Sequence, residues 1–297
     1  MRRGLLLGAW LLSISVLSAQ VMVDNTSQTV ADAIQNTLIG EGVDVFNITI
    51  NGLPGNSVNV QAGTFTDETS SIGVSEGFIM GTGNVTMAEQ PNNSGSSSLP
   101  GSPFQYNDPD LESLTNVSVN DQCVIEFDFI PQGDTLTFNY IFASEEYPEF
   151  ACSNFNDVFG FFLSGNNPDG GIYTNENIAL VPDPNNPEEY TNIPVAINSI
   201  NDNMESDPEC VDFAPDYMDY IIYYVDNTNG TNYEYDGNTV VLTARAIVNC
   251  GEVYHIKLAI GDGTDGAWDS AVFLEANSFS AEPTGIAAES LFPLGLV

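Results

Sequence analysis

The sequence predicts an all-β protein, a β-sandwich or jelly roll folded as one domain. Three observations lead there. Short runs of alternating apolar and polar residues recur along the chain, loops rich in Gly, Pro, Asn and Asp separate them, and helical periodicity is confined to one short N-terminal stretch. At 297 residues the chain is long enough to bury such a core.

The first element is not part of the fold. Residues 1–19 read as a secretory signal peptide, with Arg2 and Arg3 as a basic start, an apolar run from Leu5 to Leu17, and the small pair Ser18-Ala19 before Gln20. That run is too short to span a bilayer and no later segment is long and apolar enough, so no transmembrane segment is expected. Residues 20–281 are expected to form the domain and 282–297 a C-terminal tail.

Within the domain, "TVADAIQNTLI" (29–39) has apolar residues at 30, 34 and 38 and a following Gly40, which predicts one short helix. "VFNITIN" (45–51) predicts a strand, and "SIGVSEGFIMGTGN" (71–84) is Gly-punctuated β sequence. Residues 91–109 form a long polar loop. "CVIEFDFIP" (123–131) and "DTLTFNYIFA" (134–143), joined by a Pro-Gln-Gly-Asp turn, read as a hairpin. "VFGFFLSG" (158–165) and "NIALVPD" (177–183) are further strands, and in the acid-rich stretch 183–219 only "IPVAINSIN" looks like one. "YIIYYV" within the Tyr-rich segment 216–237 alternates as a strand would. A second hairpin is predicted from "NTVVLTARAIV" (238–248) and "VYHIKLAIG" (253–261). Tyr254, Ile256, Leu258 and Ile260 line one face of it, His255 and Lys257 the other, with Arg245 nearly opposite Lys257. The Gly-rich acidic loop "GDGTDGAWDS" then leads to a last strand at 270–279.

The charge balance is extreme. The formal net charge is −37, and loss of Arg2 and Arg3 with the signal peptide makes it −39, leaving Arg245 and Lys257 as the strongly basic residues. Charged residues are only 15% of the chain and hydrophobic ones 42%, a globular composition whose acids repel one another. Nucleic acid and anionic lipid are therefore excluded as partners. Four cysteines in an exported chain predict disulfides. Cys152–Cys210 is the favoured pair because both lie in acid-rich loops, which leaves Cys123 and Cys250 to pair or remain buried thiols.

The segment "YIFASEEYPEFACSNFNDVFGFF" (140–162) sets Glu145, Glu146, Glu149 and Asp157 among aromatic residues with no local Lys, Arg or His. A carboxylate in apolar surroundings must pair, bind a cation, take up a proton or stay in water. Two readings stand side by side. Glu145, Glu146, Asp157, Asp265 and Asp269 are ligands of a structural Ca²⁺, a hard cation suited to acidic Gly-rich loops. Alternatively, Arg245 and Lys257 are buried counter-ions of these acids, or the acids cap loop amides. For recognition, Tyr233 and Tyr235 in the loop before Gly237 are candidates to stack on a glycan or a surface protein. No H-E-x-x-H or P-loop pattern is present. An enzyme reading would rest on a carboxylate pair of the glycosidase kind.

In this order, "GFIMGTGN", "NDPDLESL", "FNYIFASEEYPEF", "FNDVFGFFLSG", "NENIALVP", "YDGNTVVLTA" and "YHIKLAIGDGTDGAWDSAVFLEANSF" resemble the choice-of-anchor L domain family over residues 29–281. The resemblance implies an extracellular, β-rich module of bacterial surface proteins of the Bacteroidetes type, with no catalysed reaction or ligand attached. "TGIAAESLFPLGLV" resembles the lead-in to a type IX secretion sorting domain, which implies contact with secretion and anchoring machinery. The expected function is a secreted or cell-surface, non-catalytic binding or adhesion module stabilised by Ca²⁺. The alternatives are a carbohydrate-active hydrolase and a structural spacer or display domain.

Overall fold

The computed structural model describes residues 20–89, 91–104, 106–203 and 208–282. The signal-peptide reading of 1–19 and the tail from residue 283 onward lie outside them. The predicted N-terminal helix is present as an α-turn, Val30–Ala33, continuing into a π-turn, Ile34–Leu38. Thr29 caps it by accepting from the Asp32 amide at 3.1 Å, and Val30, Ala33, Ile34 and Leu38 turn inward.

The strands, in chain order, are β1 (Met22–Asp24), β2 (Val43–Ile50), β3 (Leu53–Pro54), β4 (Ala62–Thr66), β5 (Glu76–Gly81), β6 (Val119–Pro131), β7 (Thr135–Ser144) and β8 (Val158–Asn166). They continue as β9 (Ile172–Asn177), β10 (Leu180–Asp183), β11 (Asn186–Pro194), β12 (Tyr224–Asp226), β13 (Gly237–Thr239), β14 (Leu242–Ile247), β15 (Tyr254–Gly263) and β16 (Ser270–Glu275). One sheet runs β1-β4-β5-β16-β7-β13-β12, with β14 also beside β7. The other runs β3-β2-β6-β15-β8-β9, and β10 with β11 makes a separate hairpin. Every ladder between these strands is antiparallel.

The sheets pack face to face. Phe138, Tyr140 and Phe142 of β7 meet Phe159 and Phe161 of β8 with ring centroids 4.9–5.5 Å apart. Smaller cores lie outside the sandwich. Ile79, Ile141 and Phe273 are covered by Val85, Met87, Tyr233 and Tyr235, while Val124, Phe162 and Ala259 are covered by Leu111 and Ala196. Both faces are thus buried over residues 140–144 of β7 and 158–163 of β8, and these stretches read as almost unbroken apolar runs within otherwise alternating sequence.

Both predicted hairpins are corrected. β6 and β7 lie in opposite sheets, and so do β14 and β15. Alternation marks a strand and its faces but does not name its partner. Here the inward faces of β6 and β7 look at each other across the core, and Phe279 stands between Phe127, Phe129 and Phe138 at 5.1–5.3 Å. Two further expectations fail. "IPVAINSIN" contributes only the end of β11 before turning, and "YIIYYV" lies largely in the 3-10 helix Tyr217–Tyr223. Short helices at Pro109–Glu112 and Pro208–Phe213 add to the one expected.

Of the cysteine readings, Cys152–Cys210 is bonded. Cys123 is a buried thiol, whereas Cys250 is exposed on the turn after β14, so these two neither pair nor are both buried.

Candidate functional site

Four strand ends and one loop bring acids together at one end of the sandwich. Glu145 and Glu146 follow β7, Asp157 precedes β8, Asp262 is near the end of β15, and Asp269 precedes β16. Glu234 and Asp236 arrive just before β13. All seven are at most 3% exposed.

The polar loop 91–99 closes over them. The Ser97 amide donates to Glu145 Oε2 at 3.0 Å, and the Ser97 hydroxyl donates to Glu234 Oε1. Ser98 Oγ and the Leu99 amide donate to Asp269 at 2.9 and 2.8 Å, and Asn92 Nδ2 donates to Asp236 Oδ1 at 2.6 Å. Asp157 accepts from the Gly263 amide at 2.9 Å and from Ser270 Oγ at 2.5 Å. These donors leave much unsatisfied. Glu145 Oε1, Glu146 Oε2 and Glu234 Oε2 are buried and accept no hydrogen bond from the described residues, and Asp262, equally buried, has at best a weak contact from the Thr82 hydroxyl.

Electrostatics follow from burial. Burial pushes Glu145 up to about 9, reinforced by Asp236, Glu234 and Asp269, with the Ser97 amide opposing. Glu146 rises to about 9 through burial, Asp157 and Asp265. Burial lifts Asp157 to about 7 and Asp236 and Asp269 to about 6, and it raises Asp262 well above the usual carboxylate range. Asp67 shows what is missing. It too is fully buried, but the Thr69 and Ile72 amides and the Thr69 and Ser71 hydroxyls all donate to it at 2.7–3.1 Å. Burial still pushes it up, and these four bonds outweigh that, so its acidity is strengthened.

The counter-ion reading is corrected. Lys257 Nζ, on the outer face of β15, donates to Asp108 and Asp110 at 2.5 and 2.6 Å. Arg245, exposed on β14, reaches Glu188 at 3.5 Å. His255 lies between Glu126 and Asp128 at 3.1 and 2.8 Å. Arg245 and Lys257 do not share a face, because the hairpin that would have joined them does not exist. The three basic side chains among the described residues are therefore engaged away from the acid cluster.

Of the five proposed metal ligands, Glu145, Glu146, Asp157 and Asp269 come together in the cluster. Asp265 is exposed and accepts from its own loop at the Ala267 amide, 3.1 Å, contributing to the cluster only through its field on Glu146 and Asp157. Asp262, Glu234 and Asp236 were not in that set. The inward phase of Ile256, Leu258 and Ile260, continued to 262, was the signal for Asp262. Among the described residues no three His, Cys, Asp or Glu side chains are gathered into a ready-made metal shell. Any cation here would need backbone, hydroxyl or amide oxygens beside the carboxylates, a mixture Ca²⁺ accepts.

The glycan-stacking reading of Tyr233 and Tyr235 is overturned. Their rings are 3% and 1% exposed, packed in the small core behind Phe273.

No helix among the described residues is long and apolar enough to cross a membrane. No curated protein and no solved structure matches the chain. A family model described as the choice-of-anchor L domain matches residues 22–280.

Proposed function

The chain belongs to the choice-of-anchor L domain family, whose members are secreted or surface modules rather than a known family of enzymes, and from that premise we propose a non-catalytic binding or adhesion module whose acidic end is closed by Ca²⁺. The observation that carries the cation is the set of buried carboxylate oxygens without a donor, in a chain whose described basic side chains are committed elsewhere. A cation would offset part of the charge that Glu145, Glu146, Asp157, Asp262 and Asp269 would carry when ionised and, through backbone and hydroxyl oxygens, would help hold loop 91–99 over them. At low pH, protons do the same work. Secretion through the type IX route, and a glycan or protein partner at the cell surface, belong to the same proposal.

The test is thermal unfolding of the mature domain in chelator and with increasing Ca²⁺, against Mg²⁺ and a matched ionic-strength control. Saturable stabilisation specific to Ca²⁺, lost in Asp157→Asn and Asp269→Asn, supports the reading. A response that tracks ionic strength alone rejects it.

A further inference from the structure

With Tyr233 and Tyr235 buried, a binding module needs another surface, and β14 offers one. The β14–β7 ladder pairs Arg245 with Thr137, while the Thr137 amide and carbonyl both bond Ser280 on the opposite side. Arg245 is therefore in a non-hydrogen-bonded pair, and its own N–H and C=O point away from β7. Thr243 and Ile247 share that phase.

Two side chains latch onto this outer edge. Tyr190 of β11 donates to the Thr243 carbonyl at 2.8 Å, and Tyr173 of β9 donates to the Ile247 carbonyl at 3.1 Å. Between and around these latches lie two adjoining cavities of about 330 and 310 Å³, which share Glu188, Tyr190 and Arg245. The first adds apolar wall from Ile178, Leu180 and Ala246 and polar groups from Glu176 and Asn177. The Arg245–Glu188 pair at its rim is long, at 3.5 Å, with side chains 44% and 86% exposed, so both can re-aim towards a ligand at little cost.

We propose that this groove binds a neutral oligosaccharide, an inference that rests on the reading of the chain as a binding module but not on the cation. Each part of the lining corresponds to a part of a sugar. A tyrosine ring fixed by its hydroxyl gives a flat apolar surface for the C–H face of a pyranose. A guanidinium, two carboxylates, a carboxamide and an outward backbone N–H and C=O supply the alternating donors and acceptors that hydroxyls need. The two cavities lie side by side, which suits consecutive units of a chain. The formal charge of −37 disfavours an acidic polysaccharide. A peptide strand added to β14 is disfavoured because two of its outward carbonyls are already taken by tyrosine hydroxyls, the usual way of blunting an exposed edge.

The experiment is an NMR titration of the mature domain with cellohexaose, laminarihexaose, mannohexaose and chitohexaose, with polygalacturonate and a Thr-Val repeat peptide as comparators. Each is run with Ca²⁺ and with chelator. The expected result is saturable shifts of Tyr173, Tyr190 and Arg245 resonances with at least one neutral hexasaccharide. Arg245→Ala and Tyr190→Ala each weaken that affinity by about tenfold or more, and Tyr233→Phe leaves it unchanged. Arg245 is exposed, so its variant folds even where Tyr190→Ala does not. The proposal is overturned if no neutral sugar moves these resonances at about 10 mM, if binding survives Arg245→Ala, or if only the peptide or the acidic polymer binds. Groove shifts without a Ca²⁺ response would remove the cation and keep the groove. A Ca²⁺ response with a silent groove would do the reverse.

Discussion

Raising the pH in chelator should unfold this protein from its acidic end. Glu145 and Glu146 each stand at about 9 in the fold, against an ordinary value of 4.5. A carboxyl raised in this way holds its proton more tightly folded than unfolded. Its contribution is fully present below the unfolded value and is lost as pH climbs through the folded one. From about pH 6 to about pH 8 both groups remain protonated in the fold and ionised in the unfolded chain, so each removes about 1.4 kcal/mol per pH unit, about 5 kcal/mol in all. Water reaching a charged cluster trims this, and roughly half is the working figure. That corresponds to a fall in Tm of roughly 5–10 °C for a domain of this size. Asp157, at about 7, adds to the lower part of the window. The assay is circular-dichroism melting across this pH range in chelator, repeated with Glu145→Gln and Glu146→Gln. Each amide keeps the shape and removes the titration, so it should raise Tm at about pH 8 and flatten the slope. A wild-type Tm that holds level or rises with pH would refute the reasoning, because the buried oxygens would then be satisfied as anions.

Three more outcomes are expected. Reducing Cys152–Cys210, which spans 58 residues, should cost about 4 kcal/mol of stability, read as a lower denaturant midpoint for Cys152→Ser/Cys210→Ser. His255, the protein's one histidine, should titrate above 6.5 by NMR, chiefly because Glu126 bonds its protonated ring, with Asp128 adding. Its contribution is complete below 6.5 and fades as pH rises through the raised value, so a midpoint at or below 6.5 contradicts the bridge. Lys257→Met should destabilise by about 3–5 kcal/mol in chemical denaturation, because Asp108 is left buried without its cation, and Lys257→Met combined with Asp108→Asn should recover part of the loss.

How far the sequence carried the structure depended on the range of the signal. Period-two alternation located β6, β7, β14 and β15 and told the inner face of β15 from the outer, since facing is set by each strand alone. It could not tell a hairpin from an arch, because the turn after Pro131 and the turn after Val248 are compatible with either. Glu145, Glu146 and Asp157 were legible as anomalies, acids in an apolar run without a basic neighbour. Glu234 and Asp236 were hidden inside a Tyr-rich stretch whose apparent exposure was wrong, since only the outer face of the β5–β16–β7 sheet, built from distant segments, shows that Tyr233 and Tyr235 have a core to fill.

The position of β16 has a consequence for how this chain comes to be folded. The last strand among the described residues, Ser270–Glu275, sits in the middle of its sheet, between β5 and β7. Until it arrives, the two halves of that sheet have nothing to join them, and no neighbouring pair among β6, β7, β14 and β15 can zip up locally in its place. Contacts of such long sequence separation are slow to form and reward the chain only late. That sheet can therefore close only once β16 is available, while the other sheet and local ladders such as β4–β5, β8–β9 and β10–β11 do not wait for it.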